Sequence, residues 1–198
     1  MKTAALLCLL VISVFAFSQS ISGPSMTFYG IDFTKARMIG EGFYNPNDIK
    51  DRLFDSWNGL FRTEPDKYDL YKAFKKEKVT FDFTNVERVN KTVNPQKMVS
   101  NSEYSISPSE AASVLDKYTP SDISGLGCVF VVESFDKTKA LGFIYVIFFN
   151  TATKKVILCE KMECKAGGFG LKNYWARTIF EVIDASPKQF KKWLKKSN

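Results

Sequence analysis

The densest hydrophobic patterning falls in three runs, CVFVVESF (128–135), LGFIYVIFFN (141–150) and KKVILCEKMECK (154–165), separated only by DKTKA and TAT. β-Branched and aromatic residues dominate them, so they predict three strands joined by tight turns, an antiparallel meander. The first two are apolar on both faces, which predicts helices covering at least one side of the sheet and a central place for the second strand. Upstream, MTFYGIDF from Met26 reads as a first strand and ARMIGEGFYN as a glycine-containing loop. VTFDFTNV alternates strictly, with Val79, Phe81 and Phe83 on one side and Thr80, Asp82 and Thr84 on the other, the mark of a half-buried strand.

Helical spacing appears between these runs. Ile49, Leu53, Trp57, Leu60 and Phe61 form one apolar face, with Asn45 or Asn47 as cap, Pro46 and Asp48 in the first turn, and Gly59 weakening the last. DKYDLYKAFKKEK (Asp66–Lys78) predicts a second short helix with Leu70, Tyr71 and Phe74 inward. A polar loop from Asn90 to Glu103 leads to SPSEAASVLDKY, where Ser107, Pro108 and Glu110 make a capping box with proline in the first helical position. After a glycine turn, Tyr174, Ile179, Val182 and Ile183 mark another helix that DASPKQ ends. A second capping box, Ser186 to Gln189, opens a short last one. The expected fold class is therefore α+β: a mixed or antiparallel sheet of about five strands backed by three to five helices. Residues 26–186 form a single domain and 187–198 a basic amphipathic C-terminal helix.

The N-terminus departs from this pattern. Met1 and Lys2 precede an apolar run from Ala4 to Phe17, 14 residues long and short of the ~20 needed to span a membrane. With Ala16-Phe17-Ser18 at its end it reads as a secretory signal peptide, residues 1–18, cleaved after Ser18. Cys8 follows Leu7 rather than a small residue, which argues against a lipid anchor. QSISGPS (19–25) has a linker's composition. The expected product is soluble after cleavage, in a periplasm or outside the cell.

Charge is lopsided. The formal net charge is +7, yet Lys188, Lys191, Lys192, Lys195 and Lys196 lie in the last eleven residues without an acid among them. Removing them and Lys2 leaves the body near +1, so the basicity belongs to the tail and not to a stripe on the fold, which argues against a nucleic-acid-binding domain. Beyond Cys8, three cysteines remain. They exclude a disulfide-stapled miniprotein and leave two readings: one bridge within CEKMEC (Cys159 to Cys164), or three partly buried thiols including Cys128. The chain has no histidine, which removes Ser-His-Asp and Cys-His catalysis in their usual forms and the commonest zinc ligand. A lone C-x4-C is a poor zinc site, and calcium loops of the D-x-D-x-D-G type are absent. No catalytic residue, metal or cofactor is assigned.

Three stretches stand as candidate sites. KAGGFGLKNYWAR (165–177) lacks both the P-loop continuation and dinucleotide glycine spacing, so Gly167, Gly168 and Gly170 read first as a strand-to-helix turn. Helix N-termini do bind anions, and Lys165, Asn173 and Arg177 lie close by, while Phe169, Tyr174 and Trp175 face either a ligand or the core. Glu133 shares a face with Val129 and Val131 but lies near a strand end where the pleat opens to solvent. In the tail, Phe190, Trp193 and Leu194 fall on one helical face while the five lysines fan out. This pattern serves either docking on the domain or a membrane surface, with Trp193 at the boundary.

The segment from Cys128 to Ile183, with YVIFFNTATKKVILCEKMECK at its centre, resembles small exported α/β envelope domains. These are the periplasmic domain of the curli secretion channel, the lipoprotein activators of penicillin-binding proteins, and the N-terminal domain of the Tol translocation protein. A D-x-x-T-x-x-V turn between two of their strands is matched by Asn150, Thr153 and Val156. The segment is similar also to secreted proteins of gut-type Bacteroidetes. The resemblance implies an accessory or assembly role without a shared catalytic residue. The functional expectation is an exported, non-catalytic binding or assembly component of the bacterial cell envelope, with a protein or envelope component as partner. The alternatives are a secreted hydrolase using carboxylates and an anionic-surface-binding protein acting through its tail.

Overall fold

A computed structural model describes residues 20–196. The expected signal peptide and cleavage site, and Ser197 and Asn198 of the tail, lie outside them. The sheet is organised around β5 (Leu126–Asp136), which is buried along its whole length. Both its edges are paired. On one edge β1 (Ser25–Asp32) and β2 (Arg37–Ile39) lie end to end, both parallel to it. On the other, β6 (Leu141–Asn150) and then β7 (Val156–Lys165) run antiparallel as the expected meander. Outside β1 lies β3 (Lys78–Phe81) and outside β2 lies β4 (Val99–Ser100), again parallel.

This corrects the expected α+β class. The sheet has seven strands, five of them parallel in the order β3-β1-β5-β2-β4, and the fold is α/β. Helices lie between β1 and β3 and between β3 and β5, and a helical connection between neighbouring strands is what makes them parallel. β5, not the second strand of the meander, holds the centre. The short β2 and β4 were hidden in segments read as loops, because two or three residues carry no detectable alternation.

The first helix starts where expected. Asn45 Oδ1 accepts from Asp48 N at 3.1 Å, and α1 (Pro46–Asp48) passes through a π-helical turn (Ile49–Leu53) into α2 (Phe54–Thr63). Asp69 caps α3 (Leu70–Phe74), in which Tyr71 is 45% exposed rather than inward. VTFDFTNV does not run on as a strand. Asp82 Oδ1 accepts from Thr84 N at 3.1 Å and turns the chain into α4 (Thr84–Asn90), whose Val86 and Val89 are buried at helical spacing. The polar loop contains α5 (Pro95–Met98). The Ser107–Glu110 capping box forms in full and opens α6 (Pro108–Ala112), which tightens into a 3₁₀ turn (Ser113–Lys117).

The last helix differs most. α7 runs unbroken from Gly170 to Lys196 with Pro187 inside it, roughly 40 Å at 1.5 Å per residue. No second capping box forms, since Ser186 is buried and its Oγ donates to Val182 O at 2.6 Å. Ile179, Val182, Ile183, Phe190 and Trp193 stay in helical phase across Pro187 and are all buried. Their packing outweighs the ~3 kcal/mol that an interior proline costs.

Two layers cover the sheet. On one face α2, α3 and α7 bring Phe61, Phe74 and Phe190 into an aromatic cluster with Phe28, Phe130 and Phe148. On the other, the segment around α6 packs Tyr118 with Tyr29 and Phe149. The segment read as a linker reaches the core through Ile21, which is fully buried.

Candidate functional site

In open α/β sheets ligands bind outside the carboxyl ends of the parallel strands. At that end of this sheet, the loop after β2, the turn after β5 and the turn before α7 converge on a cleft of about 370 Å³. Its walls include Phe43, Lys137, Phe169, Leu171 and Tyr174. Gly168 (φ 111°) and Gly170 (φ 79°) hold the left-handed backbone that aims the turn outward. Phe169, between them, is 94% exposed, and Tyr44, next to Phe43 in the chain, is 85% exposed. Lys137 Nζ stands 3.5 Å from the centroid of the Tyr174 ring.

The residues singled out in the glycine stretch separate into two groups. Gly168, Phe169, Gly170 and Tyr174 line the cleft. The others do not. Gly167 N donates to Tyr174 O at 3.0 Å, Lys165 is the exposed last residue of β7, and Asn173 is exposed outside the lining. Arg177 pairs with Glu181 one turn on, along the helix surface. Trp175 is fully buried, stacked on Phe135 at 4.7 Å and on Phe43 at 5.6 Å. It supports the cleft from beneath and does not face a ligand. Nothing in the sequence pointed to Tyr44, Phe43 or Lys137, because the loops that carry them meet the glycine turn only in the fold.

Glu133 occupies a second position at the same end, beyond the β5–β6 turn. Alternation along β5 places Glu133 on the face of Val129 and Val131, opposite α7, and the bulge between Val132 and Ser134 then returns Phe135 to the α7 face, where it stacks on Trp175. Glu133 is 1% exposed, so the expected opening to solvent does not occur: residues 103–106 and Lys161 cover it. Lys161 Nζ lies 2.7 and 2.8 Å from its two oxygens, and Ile106 N donates to Oε2 at 3.0 Å. The flanking acids are also engaged. Asp136 Oδ1 accepts from Lys139 N at 3.0 Å, and Lys139 Nζ bonds Glu103 at 2.9 Å, which holds the Glu103 carboxyl below its usual range. Each carboxylate in this cleft therefore already has a cation or N–H donor.

Asp32, at the carboxyl end of β1, is fully buried, and burial raises its pKa. Its carboxylate accepts from Thr34 N at 2.7 Å, Thr34 Oγ1 at 2.6 Å and Tyr118 OH at 2.8 Å. It ties the β1–β2 turn to the end of the 3₁₀ segment.

At the opposite end the tail docks. Phe190 and Trp193 are buried and Leu194 is half-buried, so Trp193 belongs to the core and not to a surface-binding set. Lys188, Lys191, Lys192, Lys195 and Lys196 are exposed, and among the described residues Lys196 alone of the five forms an ion pair, with Glu160 at 2.7 Å. Cys159 and Cys164 stand on one extended strand, five residues and so roughly 16 Å apart, too far to pair. They and Cys128 are free thiols. Among the described residues no helix is long and apolar enough to cross a membrane, and no His, Cys, Asp or Glu side chains are grouped to hold a metal ion. No protein-family model and no curated protein matches the chain.

Proposed function

We propose that the protein is an exported, non-catalytic binding or assembly component of a bacterial cell envelope, and that it engages a protein partner through the cleft at the amino end of α7. The observation that carries this reading is Phe169, held 94% exposed on a turn shaped by two left-handed glycines beside an apolar-walled cleft. Burying such a side chain against a partner is worth about 2–3 kcal/mol. Glu41 and Lys137 supply a polar rim. The hydrolase reading has less support, since the carboxylates at Glu133 are already paired.

A photo-crosslinking residue in place of Phe169 tests this in envelope extract from the native host, with the same residue in place of Ile123, 78% exposed in the loop before β5, as control. The expected result is a discrete protein adduct from position 169, competed by wild-type chain. Equal labelling from positions 169 and 123 would overturn the proposal.

A further inference from the structure

Among the described residues the sheet has one long open edge. β3 and β4, on one side, are four and two residues long, whereas β7, on the other, has ten and pairs only with β6. Ala166 N donates to Ala140 O at 2.9 Å, one step beyond the Leu141–Lys165 pair. Hydrogen-bonded and non-hydrogen-bonded pairs alternate along an antiparallel ladder, so Leu158, Glu160, Met162 and Cys164 turn their backbone groups toward β6. Cys159, Lys161, Glu163 and Lys165 turn theirs outward, and none of those N–H or C=O groups has a partner among the described residues. A bulge shifts the register between Phe148 and Phe149, opposite Val156–Leu158, and ends the regular edge there.

An open edge of this length is a template for another strand, and folds guard such edges with charged side chains. On β7 those charges are ordered. Lys161 is held in place by Glu133 at 2.7 Å, while Glu163, two residues on and on the same face, is exposed and has no ion pair among the described residues. The four outward residues are centred on Met162. A twofold axis there, perpendicular to the sheet, sets Lys161 against Glu163 of a second copy and Glu163 against its Lys161, and it brings Cys159 opposite Lys165, so that all four outward residues pair. Moving the axis by one residue sets Lys161 against Lys161, or Glu163 against Glu163. The edge is guarded against neighbouring registers and complementary to itself in this one.

We infer that the protein forms a twofold-symmetric dimer through β7, with the two seven-stranded sheets running on as one across the Met162 axis. Each hydrogen-bonded pair exchanges two N–H···O bonds, roughly eight in all. Two Lys161–Glu163 contacts fix the register. Such an axis reverses strand direction, so the two Phe169 clefts open toward opposite ends of the dimer. No residue of that cleft lies on β7, and the dimer does not depend on what the cleft binds.

The test is analytical ultracentrifugation, under reducing conditions, of the chain from Gln19 to Asn198, which contains every described residue. The wild-type chain is expected to dimerise reversibly in the micromolar range. Glu163→Pro removes an outward N–H that the monomer does not use, and it should weaken the dimer on the order of a hundredfold, since the axis doubles the loss. Glu163→Lys sets lysine against Lys161 twice and should weaken it about tenfold. Phe169→Ser should leave it unchanged, which separates this inference from the partner cleft. Met162→Cys with Cys159→Ser and Cys164→Ser reads the register: its two copies meet on the axis as a non-hydrogen-bonded pair, with Cα atoms about 4.5 Å apart, and oxidation should link them. Glu160→Cys in the same background, its copies four residues and roughly 13 Å apart, should not link. A chain that stays monomeric throughout the micromolar to millimolar range would overturn the inference and leave the edge to a strand of another protein. So would a dimer that both Glu163 variants leave intact, or linkage through position 160 in place of 162. Should the cysteine variants not fold, the Glu163 variants decide the question.

Discussion

Among the described residues Lys76 is the one buried lysine, and it shows how a single residue sets the local geometry. Its two carbonyl partners fix the segment at Ile21–Gly23, while burial pushes its pKa down to about 8 from the ordinary 10.5. The folded chain then binds fewer protons than the unfolded one between those values, so stability contributed at this site is lowest below about 8 and rises toward 10.5. Thermal melts of wild type and Lys76→Met across that range should show wild type gaining on the variant as pH rises, by at most about 3 kcal/mol. A gap that does not move with pH would mean that Lys76 keeps its ordinary pKa. Lys76 looked like any other member of KAFKKEK in the sequence, because burial of one lysine in a lysine run is decided by what docks on it. The same holds for Asn58 and Asn90. Asn58 Oδ1 accepts from Ile31 N at 2.7 Å and Asn90 Oδ1 from Phe33 N at 2.8 Å, replacing strand pairing beyond the end of β3, and local pattern carries no sign of either bond. Phe169 was legible as one of two alternatives, and its exposure takes it out of the core.

At the scale of elements, the start signals were legible where side chain and backbone act within one turn. Asn45 and Ser107 cap as the sequence indicated. The stop signals misled where a distant surface intervened, most clearly at Pro187. There a break was expected, yet Phe190 and Trp193 find the same apolar face as Ile179 and Val182, and the helix continues. Within α7 the proline leaves Ile183 O without its usual N–H donor and contributes no cap. Pro187→Ala should therefore raise stability by about 1–3 kcal/mol in denaturant unfolding, through a restored hydrogen bond and better helix propensity. Two separate helices with Ser186 as an N-cap would give the opposite sign, because proline at the first helical position is favourable there. The α/β class was hidden for a related reason: strand, helix, strand was read correctly in order, but its consequence for direction depends on β3 and β5 flanking β1, which is a long-range fact.

Among the described residues the molecule holds together without covalent staples. Its three described thiols are placed so differently that they report separate levels of opening. Cys128 lies fully buried at the start of the central strand, facing Lys76 and the aromatic cluster, and burial drives its pKa well up. It can react only when the sheet opens, so its labelling rate should track global unfolding and give the same free energy as denaturant melts. Cys164 is buried under α7 and pushed up to about 12, and should be protected nearly as well. Cys159 is half-buried, with its Sγ 3.5 Å from Pro108 O and a pKa pushed up to about 11. It should react without unfolding but slowly, roughly a few hundredfold below a free thiol of pKa near 8.5, since only the thiolate attacks. Native-state labelling of the chain from Gln19 to Asn198 with a thiol-reactive reagent, read by mass, should add one label slowly to Cys159 and three on unfolding, and a reducing agent should leave the melting temperature unchanged. Fast modification of Cys128 under native conditions would mean that β1 and β5 separate easily. That would contradict a core in which β5 is covered on both edges and both faces, and it would move the weakest seam of the molecule from the surface loops to the centre of the sheet.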